Sequence, residues 1–524
     1  MNSKKLSASV MSVTLLLMIP GIGAPAEDLG SAGPMPIALS QVVAEAVLNN
    51  PTVREARLQW LIRQARERGA WGDFEPALAA GAGQSSLKRE NTALQQLSQL
   101  GMTQYSEKKK DYNLGVEGRF VSGANYKLGY TLSQTDSDLT NGNEYESNLG
   151  LSVDQPLMKG ATRRAPFAAI RVARQESLVA FHNYRKQLMS IVAGLESAYW
   201  DLALAQEQNL IAEDSVRIAR EILADARERV AVGKLSELDQ TEAEIQLNIR
   251  LAGQDQSALA VSEAAARLQI LLGGGAIGSA AAVNATEPLE WDSSTSELFR
   301  AKAQTMVEDA LLLQPDIAMR RAELQKNRIQ LDYQRDQRLP ELTAKGQVGF
   351  QGLGDSANAS LQTLQSQEFP TWSLSLQFRL PLAGGIQAGS AEMEARLTMG
   401  LTASQIAAAV RETTVTVQTL LQRVRTYERL AESAHAVSGY KSQLLDVERQ
   451  RFDAGKSDVR KIFEVEQSLS ESRDAELQSY DRLRKATADV EAASGTILRD
   501  QALEHVIAGQ IELAPELLRQ EPRS

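Results

Sequence analysis

The residues able to do chemistry are few and scattered. The 524-residue chain holds three histidines, His182, His435 and His505, and no cysteine. No His-x-x-His or His-Glu-x-x-His spacing occurs, so no two imidazoles are placed to hold a metal with a carboxylate beside them. Without thiols there is no nucleophilic cysteine, no thiolate metal site, no disulfide and no Cys-linked lipid anchor. The 66 Asp and Glu residues are spread over helix-like stretches, where a carboxylate pair says little about acid–base work. The convergent groups of a catalytic site are missing, so we expect no catalysis, no cofactor and no metal. A net charge of −10 argues against nucleic acid. The only compact lysine run, Lys108 to Lys110, reads as a solvated loop.

The most informative polar residues sit in a phrase that the chain writes twice. RVAVGKLSELDQTEAE at 229–244 and RFDAGKSDVRKIFEVE at 451–466 share Arg229/Arg451, Gly233/Gly455, Lys234/Lys456, Glu242/Glu464 and Glu244/Glu466 at an offset of 222. Each Gly-Lys separates two long helical runs. Gly233 and Gly455 fit the left-handed residue that ends a helix. Ser236 and Asp458 suit the N-cap of the returning helix, with Asp239 or Lys461 three residues on.

The elements that carry these turns are repeated as well. Asn50-Pro51-Thr52-Val53 matches Gln314-Pro315-Asp316-Ile317, and Phe74 to Leu78 matches Arg338 to Leu342, both at an offset of 264. Leu149, Leu151, Val153 and Pro156 match Leu374, Leu376, Phe378 and Pro381 at 225, and Gly273 matches Gly495 at 222. The pattern predicts a first repeat over 27–273, with strands at about 77–155, a long helix 161–231, a tip turn 232–236 and a helix 237–271. A linker at 274–303 precedes a second repeat over 304–498, with strands at about 341–381, a long helix 390–453, a tip turn 454–458 and a helix 459–494. Residues 499–524 form a tail.

Ahead of the repeats, Lys4-Lys5, an apolar stretch from Val10 to Ile19 and Ala24-Pro25-Ala26 fit a cleavable export signal over 1–26. The apolar stretch is about half of the ~20 residues a membrane helix needs. We therefore expect an exported chain without a transmembrane helix.

Strand-period alternation is clear in Tyr112, Leu114, Val116 and Phe120, in Tyr126, Leu128, Tyr130 and Leu132, and in Trp372, Leu374, Leu376, Phe378 and Leu380. Half-buried soluble sheets alternate likewise. The export signal, strands of ~9 residues and aromatics near strand ends point instead to an outer-membrane barrel. Between Ala161 and Ala231 the only helix-breaking residues are Pro166 and Gly194, and apolar residues at 178, 181, 188, 192, 195, 199 and 202 form a coiled-coil seam. At 1.5 Å per residue such a helix spans ~105 Å, a strut rather than the core of a globule.

In this arrangement the chain resembles the TolC family of outer-membrane efflux and secretion channels. The resemblance rests on the paired Asn-Pro and Gln-Pro starts, Pro76 and Pro340, Gln155-Pro156-Leu157 and Leu380-Pro381-Leu382 before Gly160 and Gly384-Gly385. The two Gly-Lys turns and the closing Leu271-Leu272-Gly273 and Gly495-Thr496-Ile497-Leu498 complete it. It implies an α+β membrane protein: a homotrimer whose chains complete one outer-membrane β-barrel, continued by a long periplasmic α-helical coiled-coil barrel. The implied role is a passive exit duct for small molecules or proteins in a tripartite efflux or type I secretion system. Its partners would be outer-membrane lipid, a periplasmic adaptor (membrane fusion) protein and an inner-membrane RND or ABC transporter.

The resemblance further implies that the tips, Gly233, Lys234, Ser236, Gly455, Lys456 and Asp458, dock the adaptor. Family members often carry an aspartate ring inside the second tip. Here the matching positions are Lys461 and Glu464, and the first repeat offers Glu237, Asp239 and Glu242, so ion selectivity stays open. A periplasmic coiled-coil scaffold and a stand-alone porin are the alternatives.

The halves also differ in length. Pro76 to Pro156 spans 80 residues and Pro340 to Pro381 spans 41. The excess contains the runs 112–120 and 125–133, flanked by polar connections at 88–110 and 135–145. Four strands in the first half and two in the second would give 18 in a trimer. The family's 12, with the extra hairpin as an external flap, is the other reading.

Overall fold

The computed structural model describes residues 35–503, except 99, 100, 139–141, 163, 281, 291–299, 383, 384, 455 and 502. The export signal, Gly384, Gly455, His505 and nearly all of the C-terminal tail lie outside the described residues. Strand β1 (Met35–Ile37) leads into helices α1 (Leu39–Asn49) and α2 (Pro51–Gly69). Then come β2 (Ala77–Glu90), a short α3 (Ala93–Ser98), β3 (Gln104–Arg119), β4 (Asn125–Ser137) and β5 (Asn143–Pro156). The first long hairpin is α4 (Ala168–Ala231) and α5 (Glu237–Leu272), followed by α6 (Gly275–Gly278) and β6 (Val283–Ala285). The second half repeats the plan with α7 (Met306–Leu313), α8 (Pro315–Gln337), β7 (Glu341–Gly354), α9 (Ala357–Ser366) and β8 (Pro370–Arg379). It ends in α10 (Ile386–Asp453), α11 (Val459–Ser494) and α12 (Ile497–Asp500).

The 64 residues of α4 and 68 of α10 make rods of roughly 95–100 Å. Helix α4 begins at Ala168 instead of 161. Pro166 cannot sit inside a helix, and the Asp336 carboxylate holds the preceding turn by accepting the Gly160 N–H at 2.8 Å and the Thr162 hydroxyl at 3.1 Å. Helix α10 starts earlier than 390, directly after Gly385, whose φ of +65° is left-handed. In the α4 seam Leu188, Val192, Leu195, Tyr199 and Leu202 are buried, whereas Leu178 is exposed. One stretch of α4 is long and apolar enough to cross a membrane by composition, but it is mostly buried within the fold. There the Tyr199 hydroxyl donates to Ile37 O at 3.2 Å and accepts from the Thr286 and Glu287 N–H groups.

The repeated Pro and Gly residues meet at the base of each hairpin. Asn50 Nδ2 donates to Leu271 O at 2.6 Å, and Gln314 Nε2 donates to Ala493 O at 3.2 Å. Each amide precedes the N1 proline of a helix and satisfies one of the last carbonyls of the helix it abuts. Gly273 (φ +73°) and Gly495 (φ +79°) end those helices in the left-handed conformation.

All six long strands form one antiparallel sheet in the order β2-β3-β4-β5-β7-β8. Lys108–Lys110 are not the solvated loop expected of a lysine run. These lysines lie inside β3, paired with Ser86, Ser85 and Gln84 on one side and Asp136, Thr135 and Gln134 on the other. Likewise only 91–103 of the expected 88–110 connection lies between strands. The lysines escaped the strand pattern because lysine is a poor strand former and three in a row mask the alternation.

Candidate functional site: tips and sheet faces

At the first tip the Gly233 N–H bonds Val230 O at 2.9 Å and the Lys234 N–H bonds Arg229 O at 2.8 Å, closing the helix end. Gly233 has φ +72°, and nothing lies within 4 Å of where its Cβ would be. Ser236 Oγ accepts the Asp239 N–H at 3.3 Å and the Asp239 carboxylate accepts the Ser236 N–H at 3.1 Å, a complete capping box. At the second tip the Lys456 N–H bonds Arg451 O at 2.8 Å, and Asp458 accepts the Lys461 N–H at 2.7 Å. Lysine has no acceptor with which to return that bond. Its ammonium goes instead to Glu464, 2.9 Å away.

The tips hold each other through residues that the sequence reading did not assign. The Arg229 guanidinium lies 4.3 Å over the Phe452 ring and donates to Phe452 O at 3.2 Å, with Asp225 at 2.9 Å. Arg451, its counterpart, pairs with Glu448 at 3.1 Å within its own helix, and Ser457 bonds the same carboxylate. Glu466 is buried, bonded by Arg250 at 2.7 Å and by Ser215 at 2.8 Å. Its counterpart Glu244 pairs with Arg227 at 2.8 Å, and the Arg227 bond holds its carboxyl below the usual range. Glu237 and Glu242 stand on the first turns of α5 without an ion pair among the described residues, where neither meets Lys461 or Glu464 within one chain. Val232 and Leu238 leave the tip with exposed apolar side chains. Apolar residues flanking a Gly-Lys turn were the available sequence signal.

Nearer the strands, the buried Glu196 neighbours the half-buried Glu491. Burial pushes both carboxyls up to about 7; each is raised further by a neighbouring acid, Glu491 for Glu196 and Asp500 for Glu491. Gln501 donates to Glu196 at 2.7 Å, and Lys302 pairs with Asp500 at 3.2 Å. Among the described residues no group of three or more His, Asp or Glu side chains is placed to hold a metal ion.

The strand register sorts the sheet into two faces. Leu78, Val116, Leu128, Leu151, Val348 and Trp372 fall in one line across all six strands, and the next line holds Ala80, Leu114, Tyr130, Leu149, Phe350 and Pro370. On the opposite face the intervening line reads Ala79, Gly115, Gly129, Gly150, Gly349 and Thr371. A Cβ at Gly115 would come within 2.8 Å of Leu128 O, and one at Gly349 within 2.6 Å of Leu149 O. Glycine admits the close strand approach that a curved sheet makes. The lines on either side of it are polar, with Asn113, Thr131, Asn148 and Gln351 beyond and Glu117, Lys127, Ser152 and Gln347 below.

Paired helical rods join a six-stranded sheet that is apolar on one face and glycine-lined and polar on the other, the build of a membrane channel with a long extension. The profile of the outer membrane efflux protein family matches residues 123–274 and 306–496, and the chain belongs to that family. Its members are channels, not enzymes, and the chain is an outer-membrane efflux channel that extends into the periplasm.

The fold is similar to the Campylobacter jejuni CmeC outer membrane channel, with 17% identity, 87% of this chain and 85% of that one covered, and a TM-score of 0.59. The outer membrane protein VceC of Vibrio cholerae gives 14%, 87%, 96% and 0.60 in the same order. The open-state Neisseria gonorrhoeae MtrE outer membrane channel gives 17%, 88%, 89% and 0.61. No curated protein matches the sequence.

Proposed function

We propose that three copies of the chain close their sheets into one 18-stranded barrel, and that the helices continue it as a periplasmic tunnel. The tips dock a periplasmic adaptor, and an RND or ABC transporter in the inner membrane drives small molecules or proteins through a duct that does no chemistry itself. The observation that carries this reading is the apolar line running in register across six strands with glycine and polar residues behind it. Two lines span all six strands, and with the shorter ones beside them six uncharged lines, two residues apart, run from Leu342 and Phe378 to Tyr112 and Leu132. At ~3.4 Å per residue and a tilt of ~40° they make a band ~26 Å tall, close to that of outer-membrane barrels.

Closure by several chains follows from the edges. In lipid the free ladder groups of β2 and β8 must be paired, and six strands are too few to enclose a useful lumen. Strand β2 leaves the helical end and β8 returns to it, so β8 of one copy meets β2 of the next antiparallel, as every other pair in the sheet does. The helices support the same assembly: Val437, Tyr440, Leu444 and Val447 on α10, and Leu238, Ile245 and Ile249 on α5, are exposed at coiled-coil spacing. A periplasmic scaffold has no use for the apolar band, and a stand-alone porin has none for the rods.

The turn at 120–124 supports the 18-stranded count over an external flap. It packs at the helical end of the sheet, where Ser122 Oγ lies 3.1 Å from Gln155 Oε1. Connections 91–103 and 138–142 lie at the other end. In this cysteine-free chain, Thr92→Cys and Ser137→Cys should react with a membrane-impermeant maleimide on intact cells, and Ser122→Cys should not. Strong labelling at 122 would overturn the threading.

A further inference from the structure

We infer that the outward face of the barrel carries, just above its apolar band, a binding site for phosphate-bearing headgroups of outer-leaflet lipids, built on Lys110 with Lys108. The inference rests on the barrel reading above.

Along β2 to β8 the side chains that share the face of Leu78 and Trp372 are uncharged from Leu342 and Phe378 up to the line of Ala82, Tyr112 and Leu132. Charge begins one step further out. Lys110 stands between Gln84 and Gln134, in line with Tyr145. The next line holds Ser86, Lys108 and Asp136, and the one after it Lys88 and Ser106. All three lysines are exposed and none makes an ion pair among the described residues, although Asp136 faces Lys108 across the ladder and Glu90 lies one line beyond Lys88. Lys109, between them in sequence, points to the other face and pairs there with Asp111 at 3.2 Å.

The level of these lysines is what selects the ligand. One line of the tilted ladder is ~5 Å, so Lys110 lies ~5 Å and Lys108 ~10 Å above the band, across the headgroup layer of ~5–8 Å that flanks the hydrocarbon. A second feature marks the same level. Helix α9 lies flat on this face over β5 and β7, where Ser147 Oγ donates to Ser360 O at 3.0 Å and a Cβ on Gly352 would overlap that carbonyl. That sector of the rim is thus covered by a helix without charged residues from Ala357 to Ser366. The β2–β4 sector presents ammonium groups and amides instead. Lysine stems can lie along the apolar band while the ammonium reaches the headgroup layer, and flanking amide N–H groups add donors for phosphate oxygens.

The test uses the full chain reconstituted in vesicles of phosphatidylcholine and phosphatidylglycerol in equal amounts. The two lipids extracted with the repurified protein are then measured, with insertion checked by protection of the strands from protease. Wild type should retain phosphatidylglycerol in excess. The Lys108→Gln/Lys110→Gln double variant should weaken that preference by about fivefold per lysine at low salt. Lys127→Gln/Lys345→Gln, on the opposite face, should leave it unchanged. An undiminished preference in the first variant, or an equal loss in the second, would overturn the site while leaving the barrel. Failure of wild type to insert would remove the barrel and the site together. Competition by inorganic phosphate as effective as that by the lipid would show a generic anion site, and would also overturn the assignment.

Discussion

The two ends of the first helical hairpin use glycine for the same turn under different constraints. At the base, Gly273 and Gly495 are left-handed and also wedged: an added Cβ would lie 2.4 Å from Pro51 Cδ and 2.9 Å from the Leu313 carbonyl carbon. At the tip Gly233 is left-handed but open, with nothing within 4 Å. The base needs both the conformation and the missing side chain, whereas the tip needs only the conformation. The tips then diverge from each other where the halves touch. Arg229 crosses to Phe452 while Arg451 stays on Glu448, and Glu466 is buried while Glu244 faces solvent. Repetition holds where the chain must turn and lapses where one half becomes the other's partner.

The largest effect should come from breaking the base. Gly273→Val adds left-handed strain to an overlap with a proline ring, together more than ~3 kcal/mol, and Gly495→Val should act alike. We expect little folded chain from either. Gly233→Val carries the strain alone, ~1–2 kcal/mol, and should leave membrane-inserted protein in normal amount. Combined with Gly455→Val, it should impair export. Urea midpoints of the purified proteins and an export assay check both arms, and equal midpoints for positions 233 and 273 would erase the distinction.

Next in size is the pair of aligned glutamates. Glu466→Ala strands the Arg250 guanidinium in a buried site, and losing one partner of such a pair costs ~3–5 kcal/mol. Glu244→Ala removes only an exposed partner of Arg227 and should leave the melting temperature where it was. A similar fall in both would mean that the tips differ less in packing than their burial indicates.

A smaller, pH-dependent effect separates base from tip. Glu196 and Glu491 sit near 7 in the fold against 4.5 when free. A carboxyl raised on folding binds its proton more tightly in the native state, so its stabilising contribution is full below pH ~4.5 and lost as pH rises through ~7. Glu196→Gln/Glu491→Gln should therefore flatten the decline in stability between those values. Glu244→Gln, at the tip, removes a carboxyl shifted the opposite way and should not flatten it. Thermal melts across that range decide it, and an unchanged slope in the double variant would contradict the assignment.

How much of this was legible in the sequence follows from which interactions are local. The Gly-Lys turns, the caps at Ser236 and Asp458 and the long rods depend on neighbours within a few residues, and each shows as a short pattern. Strands β3 and β4 were visible where Tyr, Leu and Val alternate. They faded at the ends away from the helices, where Lys108 and Lys110 take the positions that apolar residues hold elsewhere on that face and the hydrophobic code stops. The Arg229–Phe452 contact and the burial of Glu466 join residues more than 200 positions apart. No local pattern announces them, and the aligned phrases suggested equivalence where the fold has made a difference.

The smallest effect on stability, and the sharpest test of the tips as a gate, lies at Lys461 and Glu464. Their ion pair is half-exposed at 2.9 Å within one helix, and pairs of that kind contribute within ~0.5 kcal/mol, so replacing both with Ala should leave the fold intact. Function is a separate matter, because assembly around an axis would multiply each charge and bring the copies together. If that ring narrows the closed aperture, the double variant should pass more current in planar bilayers and sensitise cells to large antibiotics. The difference between the two should shrink at high salt, where the wild-type charges are screened. Unchanged conductance with a normal amount of inserted protein would move the constriction to Glu237, Asp239 and Glu242, on the tip that caps itself through Ser236. The two tips would then differ in which one closes the duct as well as in how they pack.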